Sequence, residues 1–389
     1  MKQPSPQALE HSQLLQQKIA DLIRSQGGKL SFAEFMQQAL YAPGLGYYNC
    51  GATKFGAAGD FVTAPELGSL FAKCLAVQCA QILENSCGNT ILEIGAGSGQ
   101  LACDLILSLN NLGITLDRYL ILELSAELIQ RQQQKISQLC PQFLDRVQWL
   151  DQLPANPING VILANEVMDA MPVNRFHFAD NVLQEYYVTT ANNNFAYELL
   201  APSTPLQRAF EQQNLSMYLE SGEHAYSSEI NLWLPAWIKS LSHSLNTGAI
   251  LLFDYGFPRA EYYHPQRDSG TLMCHYQHYC HADPFWYPGI QDITAHVDFS
   301  TIAIAATACD LNLSGYTNLA SFLINCEITK QSSVPLTVQQ AQEFNTLTSP
   351  AEMGELFKAS CLTKHISDSL VGFAQFDKRY SLEQTSHKP

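Results

Sequence analysis

The run Ile91-Leu92-Glu93-Ile94-Gly95-Ala96-Gly97-Ser98-Gly99-Gln100-Leu101 reads as a buried strand, a glycine turn and the start of a helix. Glycines suit such a turn because the backbone bends tightly and meets a ligand without side chains in the way. A dinucleotide fingerprint places its third glycine one residue later, where this chain has Gln100. The spacing here is instead G-x-G-x-G with an acid two residues before the first glycine.

That form suits S-adenosylmethionine, which lacks a pyrophosphate but offers an amino-acid moiety and a ribose. Glu93 is placed to orient the methionine ammonium, with Gly95, Gly97 and Gly99 cradling the cofactor. A second apolar run ends Ile121-Leu122-Glu123-Leu124, which puts a carboxylate where ribose hydroxyls lie in nucleoside-binding α/β folds. Asp151 and Gln152 follow the next run and are candidates for the adenine amino group. The competing reading is a tight structural turn in an unrelated α/β protein.

Outward from this stretch, short apolar runs alternate with amphipathic helices, the pattern of a parallel sheet with crossover helices. The strand candidates are 90–94, 119–123, 146–149, 160–164 and 249–254, with helices over 100–109, 126–139 and 232–245. The expected class is α/β: a Rossmann-like sheet with an N-terminal helical segment and inserted substrate or lid elements. Segments 1–87, 88–258 and 259–389 are the expected domains, with antiparallel strands over 176–200 added at an edge. Upstream, Leu15, Ile19, Leu22 and Ile23 share one helical face, and Ser31/Glu34 and Thr63/Glu66 have capping-box spacing, the latter opening a helix to Glu84. The stretch 371–376 is a candidate closing antiparallel strand.

The chain of 389 residues carries 21 Lys+Arg against 36 Asp+Glu, a net charge of −15 that argues against a nucleic-acid-binding face. Apolar residues make up 46%, enough for sizeable cores and too many for global disorder. No run reaches the length of a membrane helix and the start lacks a signal-peptide core, so a cytoplasmic protein with no membrane partner is expected. Eleven cysteines without a C-x-x-C pair are expected to be mostly buried thiols.

Further candidate residues cluster after the fourth run. Asn165, Glu166 and Asp169 emerge where ligands bind in open α/β sheets, Asn165 on the cofactor side. Glu166, and next Asp169, are candidates to hold a cationic acceptor, against a plain helix-capping role. Asp254 and Tyr255 end the fifth run and would line the acceptor side, or merely form a strand-end turn. His296 and Asp298 form a candidate imidazole and its orienter, against a structural histidine. The loop 41–60 offers Tyr47, Tyr48, Gly59 and Asp60, and the His-, Tyr- and Pro-rich stretch 259–299 reads as a lid. Cys274, His275, His278, Cys280 and His281 have no common zinc spacing and are read as lid packing, with no metal.

Several separated blocks carry a resemblance: Tyr41-x-Pro43-x-x-Gly46-Tyr47-Tyr48, Phe55-Gly56-x-x-Gly59-Asp60-Phe61-x-Thr63-x-Pro65-Glu66, the Glu93 glycine loop, Asn165-Glu166-x-x-Asp169-Ala170-x-Pro172, Asp254-Tyr255-Gly256 and Asp292-x-x-x-His296-Val297-Asp298-Phe299. Over nearly its whole length the chain resembles the MidA-like family of class I S-adenosylmethionine-dependent methyltransferases, which includes the mitochondrial complex I assembly factor. The resemblance implies methyl transfer to an arginine of a protein substrate whose identity it does not fix. A homodimer is left open. The main rival is an assembly factor that keeps the cofactor pocket and holds a partner without catalysis. A nicotinamide-dependent oxidoreductase is disfavoured by Gln100.

Overall fold

The structure is a computed structural model that describes residues 3–49, 63–192, 194–219, 225–332, 335–367 and 369–382. It divides into two compact units that interleave along the chain. One comprises Met1–Phe61, Met168–Leu234 and Arg259–His296; the other comprises Val62–Val167, Pro235–Pro258 and Val297–Pro389. These bounds cut across the three consecutive segments read from the sequence.

The second unit is built on an eight-stranded sheet: β1 (Thr90–Ile94), β2 (Arg118–Leu122), β3 (Val147–Leu150), β4 (Ile158–Asn165), β5 (Leu245–Phe257), β6 (Val297–Asp298), β7 (Asn312–Asn318) and β8 (Phe357–Lys364). Its order is β7-β8-β5-β4-β1-β2-β3, with β6 beside β5. Strands β3, β2, β1, β4 and β5 run parallel, and β8 is antiparallel to both β5 and β7. Central strands covered on both faces are mostly apolar, and β1 is buried at all five positions, Thr90 and Glu93 being its polar members. Strand order reverses between β1 and β4, the point at which open α/β sheets leave a crevice beyond their strand ends.

Three expectations change in this unit. The closing antiparallel strand is Phe357–Lys364; the 371–376 stretch instead makes a 3-10 turn, Val371–Phe373. That turn's N–H groups are taken by helix side chains, Val371 donating to Gln81 (2.9 Å) and Gly372 to Gln78 (2.8 Å), which leaves no ladder to extend. The helix expected over 66–84 breaks at Gly68 into Ala64–Leu67 and Leu70–Ser86. Glu343 occupies the space a Gly68 side chain would need and caps the second piece, accepting from the Leu70 N–H at 2.6 Å. Thr63 makes no side-chain cap, so the Thr63/Glu66 box does not form. The Ser31/Glu34 box does.

In the first unit the strands read at 176–200 do not extend the parallel sheet. Asn174–Ala179, Val182–Ala191 and Asn194–Leu200 join Leu30–Ser31 and Tyr226–Ile230 in a separate five-stranded sheet, every pair antiparallel. Its core draws Leu15, Ile19, Ile23, Phe32, Phe35 and Met36 from the N-terminal helices. The stretch expected as a lid loop contains, besides β6, three short strands that form a sheet of their own, Met273–Tyr276, Tyr279–His281 and Asp292–Thr294.

Candidate active site

In the second unit, the strand-edge candidates share one sheet edge. Ile94 ends β1 opposite Leu122 and Ala164, and Asn165 lies opposite Phe253. Glu93, Glu123, Asn165, Glu166 and Asp254 therefore sit at the carboxyl ends of four adjacent strands, with the glycine loop among them. Gly95, Gly97 and Gly99 all have positive φ (67°, 52° and 81°), where a side chain is strained. At Gly99 a Cβ would also crowd Gln132 at 3.2 Å, so glycine keeps the loop against the helix Ala126–Leu139.

Glu93 is 2% exposed, and its one side-chain donor among the described residues is the Tyr119 hydroxyl at 2.8 Å. Burial pushes its carboxyl up to about 7, the nearby Glu123 adds to the rise, and the Tyr119 hydrogen bond opposes it. A buried carboxylate so thinly satisfied suits a cationic ligand group.

Glu123 is tied from two sides. Its Oε1 accepts from the Ser125 N–H at 3.0 Å and its Oε2 from Gln132 Nε2 at 3.1 Å. Gln132 also donates to the Gly97 carbonyl at 3.0 Å and accepts from the Trp149 indole at 2.9 Å. The Ser98 hydroxyl donates to Glu66, and Lys135 donates to Ser98 Oγ and Gln100 Oε1, both at 3.0 Å. Leu124, Asp151 and Gln152 are exposed. The sequence reading overlooked Gln132, Tyr119 and Lys135, because one glutamine or lysine on a polar helix face, or one tyrosine in an apolar strand, carries no motif.

Glu166 follows β4 at φ 53°, an uncommon conformation for a residue with a Cβ, and its N–H donates to the Phe253 carbonyl at 2.9 Å. Asn165 Nδ2 donates to Glu166 Oε1 at 3.1 Å. Asp254 is fully buried in β5, and Tyr255 packs edge-on against Phe357. Asp298 is the N-cap of the helix Phe299–Thr307, accepting from the Ser300 and Thr301 N–H groups and, at 2.7 Å, from the Thr301 hydroxyl. Capping by itself accounts for a carboxylate there.

The remaining candidates belong to the first unit. Asp169 is 6% exposed and its carbonyl accepts from the Ala295 N–H. The His296 N–H donates to Thr271 Oγ1 at 3.1 Å. Tyr48 stacks on Tyr41, meets Tyr47 edge-on and donates to Asp292 at 3.1 Å; burial, then Asp292, holds its hydroxyl well above the usual tyrosine range. Gly59 and Asp60 lie outside the described residues. The Cys/His cluster is a hairpin: Gln277 and His278 form the two-residue turn at positive φ, with Cys274 opposite His281 and His275 opposite Cys280. Among the described residues no group of three or more His, Cys, Asp or Glu is placed to hold a metal.

The chain matches, over residues 74–317, a family described as S-adenosyl-L-methionine-dependent methyltransferase. A Burkholderia thailandensis protein crystallised with S-adenosyl-homocysteine is 40% identical, with a TM-score of 0.93 over 98% of this chain and 100% of that one. Among curated proteins, mitochondrial protein arginine methyltransferase NDUFAF7 of Danio rerio is 27% identical over 85% of this chain and 82% of its own length. The Homo sapiens protein of that name is 26% identical over 87% and 81%. These relatives are named mitochondrial, which overturns the cytoplasmic expectation. The lack of a long apolar run bears on membrane helices and does not separate one aqueous compartment from another.

Proposed function

The chain belongs to this family of S-adenosyl-L-methionine-dependent methyltransferases, and from that premise we propose that it methylates an arginine side chain of a protein substrate. The curated relatives named protein arginine methyltransferases support arginine as the acceptor. The observation that supports a cationic acceptor is a carboxylate, Glu166, held at φ 53° just past β4, at the strand-order reversal where β1 delivers the glycine loop, while arginine among cations rests on the names of those relatives. Strained backbone of this kind persists where its surroundings enforce it, and it gathers at functional sites.

The cofactor supplies a methyl group on a sulfonium, ready for in-line displacement. The chain's own residues bind and align. Glu93 receives the ammonium, the glycine loop lets backbone approach the ligand, and Glu123 takes the ribose hydroxyls, with Asp151 and Gln152 toward the adenine. Glu166 holds the guanidinium through paired hydrogen bonds and stabilises the charge it carries as the attacking nitrogen bonds to carbon. Asp169, Asp254, Tyr255 and the Tyr47–Tyr48 pair are proposed substrate-side residues, with His296 a candidate to accept the proton released after transfer.

The test is incubation with S-adenosylmethionine bearing an isotope-labelled methyl group and lysate from cells lacking the protein, followed by mass spectrometry. Label on a specific arginine is expected, reduced by about 100-fold in Glu166→Gln. Label confined to lysine or to a small molecule would overturn the arginine assignment.

A further inference from the structure

Gln132 is fully buried, and its amide bonds three elements of the cofactor side of the sheet. Both amide hydrogens are committed, one to the Gly97 carbonyl at 3.0 Å and one to Glu123 Oε2 at 3.1 Å, while Oε1 accepts from the Trp149 indole at 2.9 Å. No other side chain of this size serves that set. Glutamate would turn an anionic oxygen on the Gly97 carbonyl and on Glu123, and an aliphatic side chain would strip the indole of its acceptor and Glu123 of a donor. The contact of Gln132 with the space beside Gly99 leaves it little room to relax.

We propose that Gln132 is a positioning residue for cofactor recognition: it clamps Glu123 and the Gly97 peptide in fixed relation, so that the carboxylate meets the ribose hydroxyls already oriented. The Trp149 indole in turn fixes which way the amide faces, so the adenine-side strand β3 and the ribose-side acid are set by one side chain. This inference rests on the assignment of Glu123 to the ribose.

Calorimetric titration of the full chain with S-adenosyl-homocysteine and with its 2′-deoxy analogue tests it without any turnover. Gln132→Leu is expected to bind S-adenosyl-homocysteine about tenfold more weakly and to lose most of the wild type's preference for it over the deoxy analogue. Combined with Glu123→Gln, it should weaken binding little beyond Glu123→Gln alone. Should the leucine variant fail to fold, Trp149→Phe, which removes the indole donor together with part of the ring, is read through the same loss of discrimination, with a loss of about threefold expected. Equal weakening toward both ligands, or unchanged discrimination, overturns the proposal and leaves Glu123 in place. If Glu123→Gln itself keeps the preference for the 2′-hydroxyl, the ribose assignment fails and the positioning role fails with it.

Discussion

Two of the buried glutamates, one from each unit, are treated in opposite ways. Glu229, in the antiparallel unit, is fully buried and fully served: Arg175 pairs with it at 3.3 Å, and Thr271 donates both its N–H (2.8 Å) and its hydroxyl (3.2 Å). Arg175 is itself held by the Tyr197 hydroxyl and lies over the rings of Phe32, Tyr186 and Tyr197. Glu93, in the parallel unit, has Tyr119 as its single side-chain donor among the described residues and a carboxyl raised to about 7. A buried carboxylate with its partners in the chain is a structural post. One with a single donor keeps its remaining capacity for a ligand, at a cost to the free protein.

The largest effect should come from disarming the structural post. Arg175→Met leaves Glu229 buried without its cation and should cost about 3–5 kcal/mol in chemical denaturation. A loss under about 1 kcal/mol would mean that the pair adds no more than a surface ion pair does.

Next comes Glu93→Gln. Its folded-state pKa lies above the ordinary value, so protonation favours the folded form. The cost is absent below about pH 4, grows as pH rises and is complete above about pH 7, where it amounts to about 3 kcal/mol. Glu93→Gln should therefore flatten the decline in stability of the free protein across that window while weakening cofactor binding by about 100-fold at neutral pH. A variant less stable than wild type at about pH 8 would place Glu93 with Glu229 as a structural group.

Tyr119→Phe should have the smallest effect. It removes the one hydrogen bond that lowers the Glu93 pKa, so the pH at which cofactor affinity is half-maximal should rise by about one unit. An unmoved midpoint would show that the hydroxyl does not bear on the titration.

The parallel unit was largely legible because its elements are continuous in sequence and its decisive contacts are backbone ones. A glycine loop after an apolar strand specifies a turn wherever it occurs, and Ala126–Leu139 matches its expected helix end to end. In the antiparallel unit the three strands over 176–200 were legible, but the sheet they belong to was not, since it joins Leu30–Ser31 to Tyr187–Val188 and the unit's pieces come from three separate stretches, a pairing that no local periodicity encodes. Phe357–Lys364 was missed for a different reason: it is almost wholly buried between two strands, yet Lys358, Ser360 and Thr363 interrupt the continuous apolar run by which such a strand is recognised. At the site, acids beside glycines stood out, whereas Gln132 and Tyr119 act through partners 9 to 35 residues away in the chain.

The most direct test of the central claim, that Glu93 is reserved for the cofactor's cation, is calorimetric titration with S-adenosyl-homocysteine at about pH 6 in two buffers of different ionisation enthalpy. If Glu93 is mostly protonated in the free protein and ionises on meeting the ammonium, binding releases close to one proton, about 0.9 for a group titrating near 7. The apparent enthalpy then differs between buffers for the wild type and coincides for Glu93→Gln. The same enthalpy in both buffers for the wild type would contradict the account.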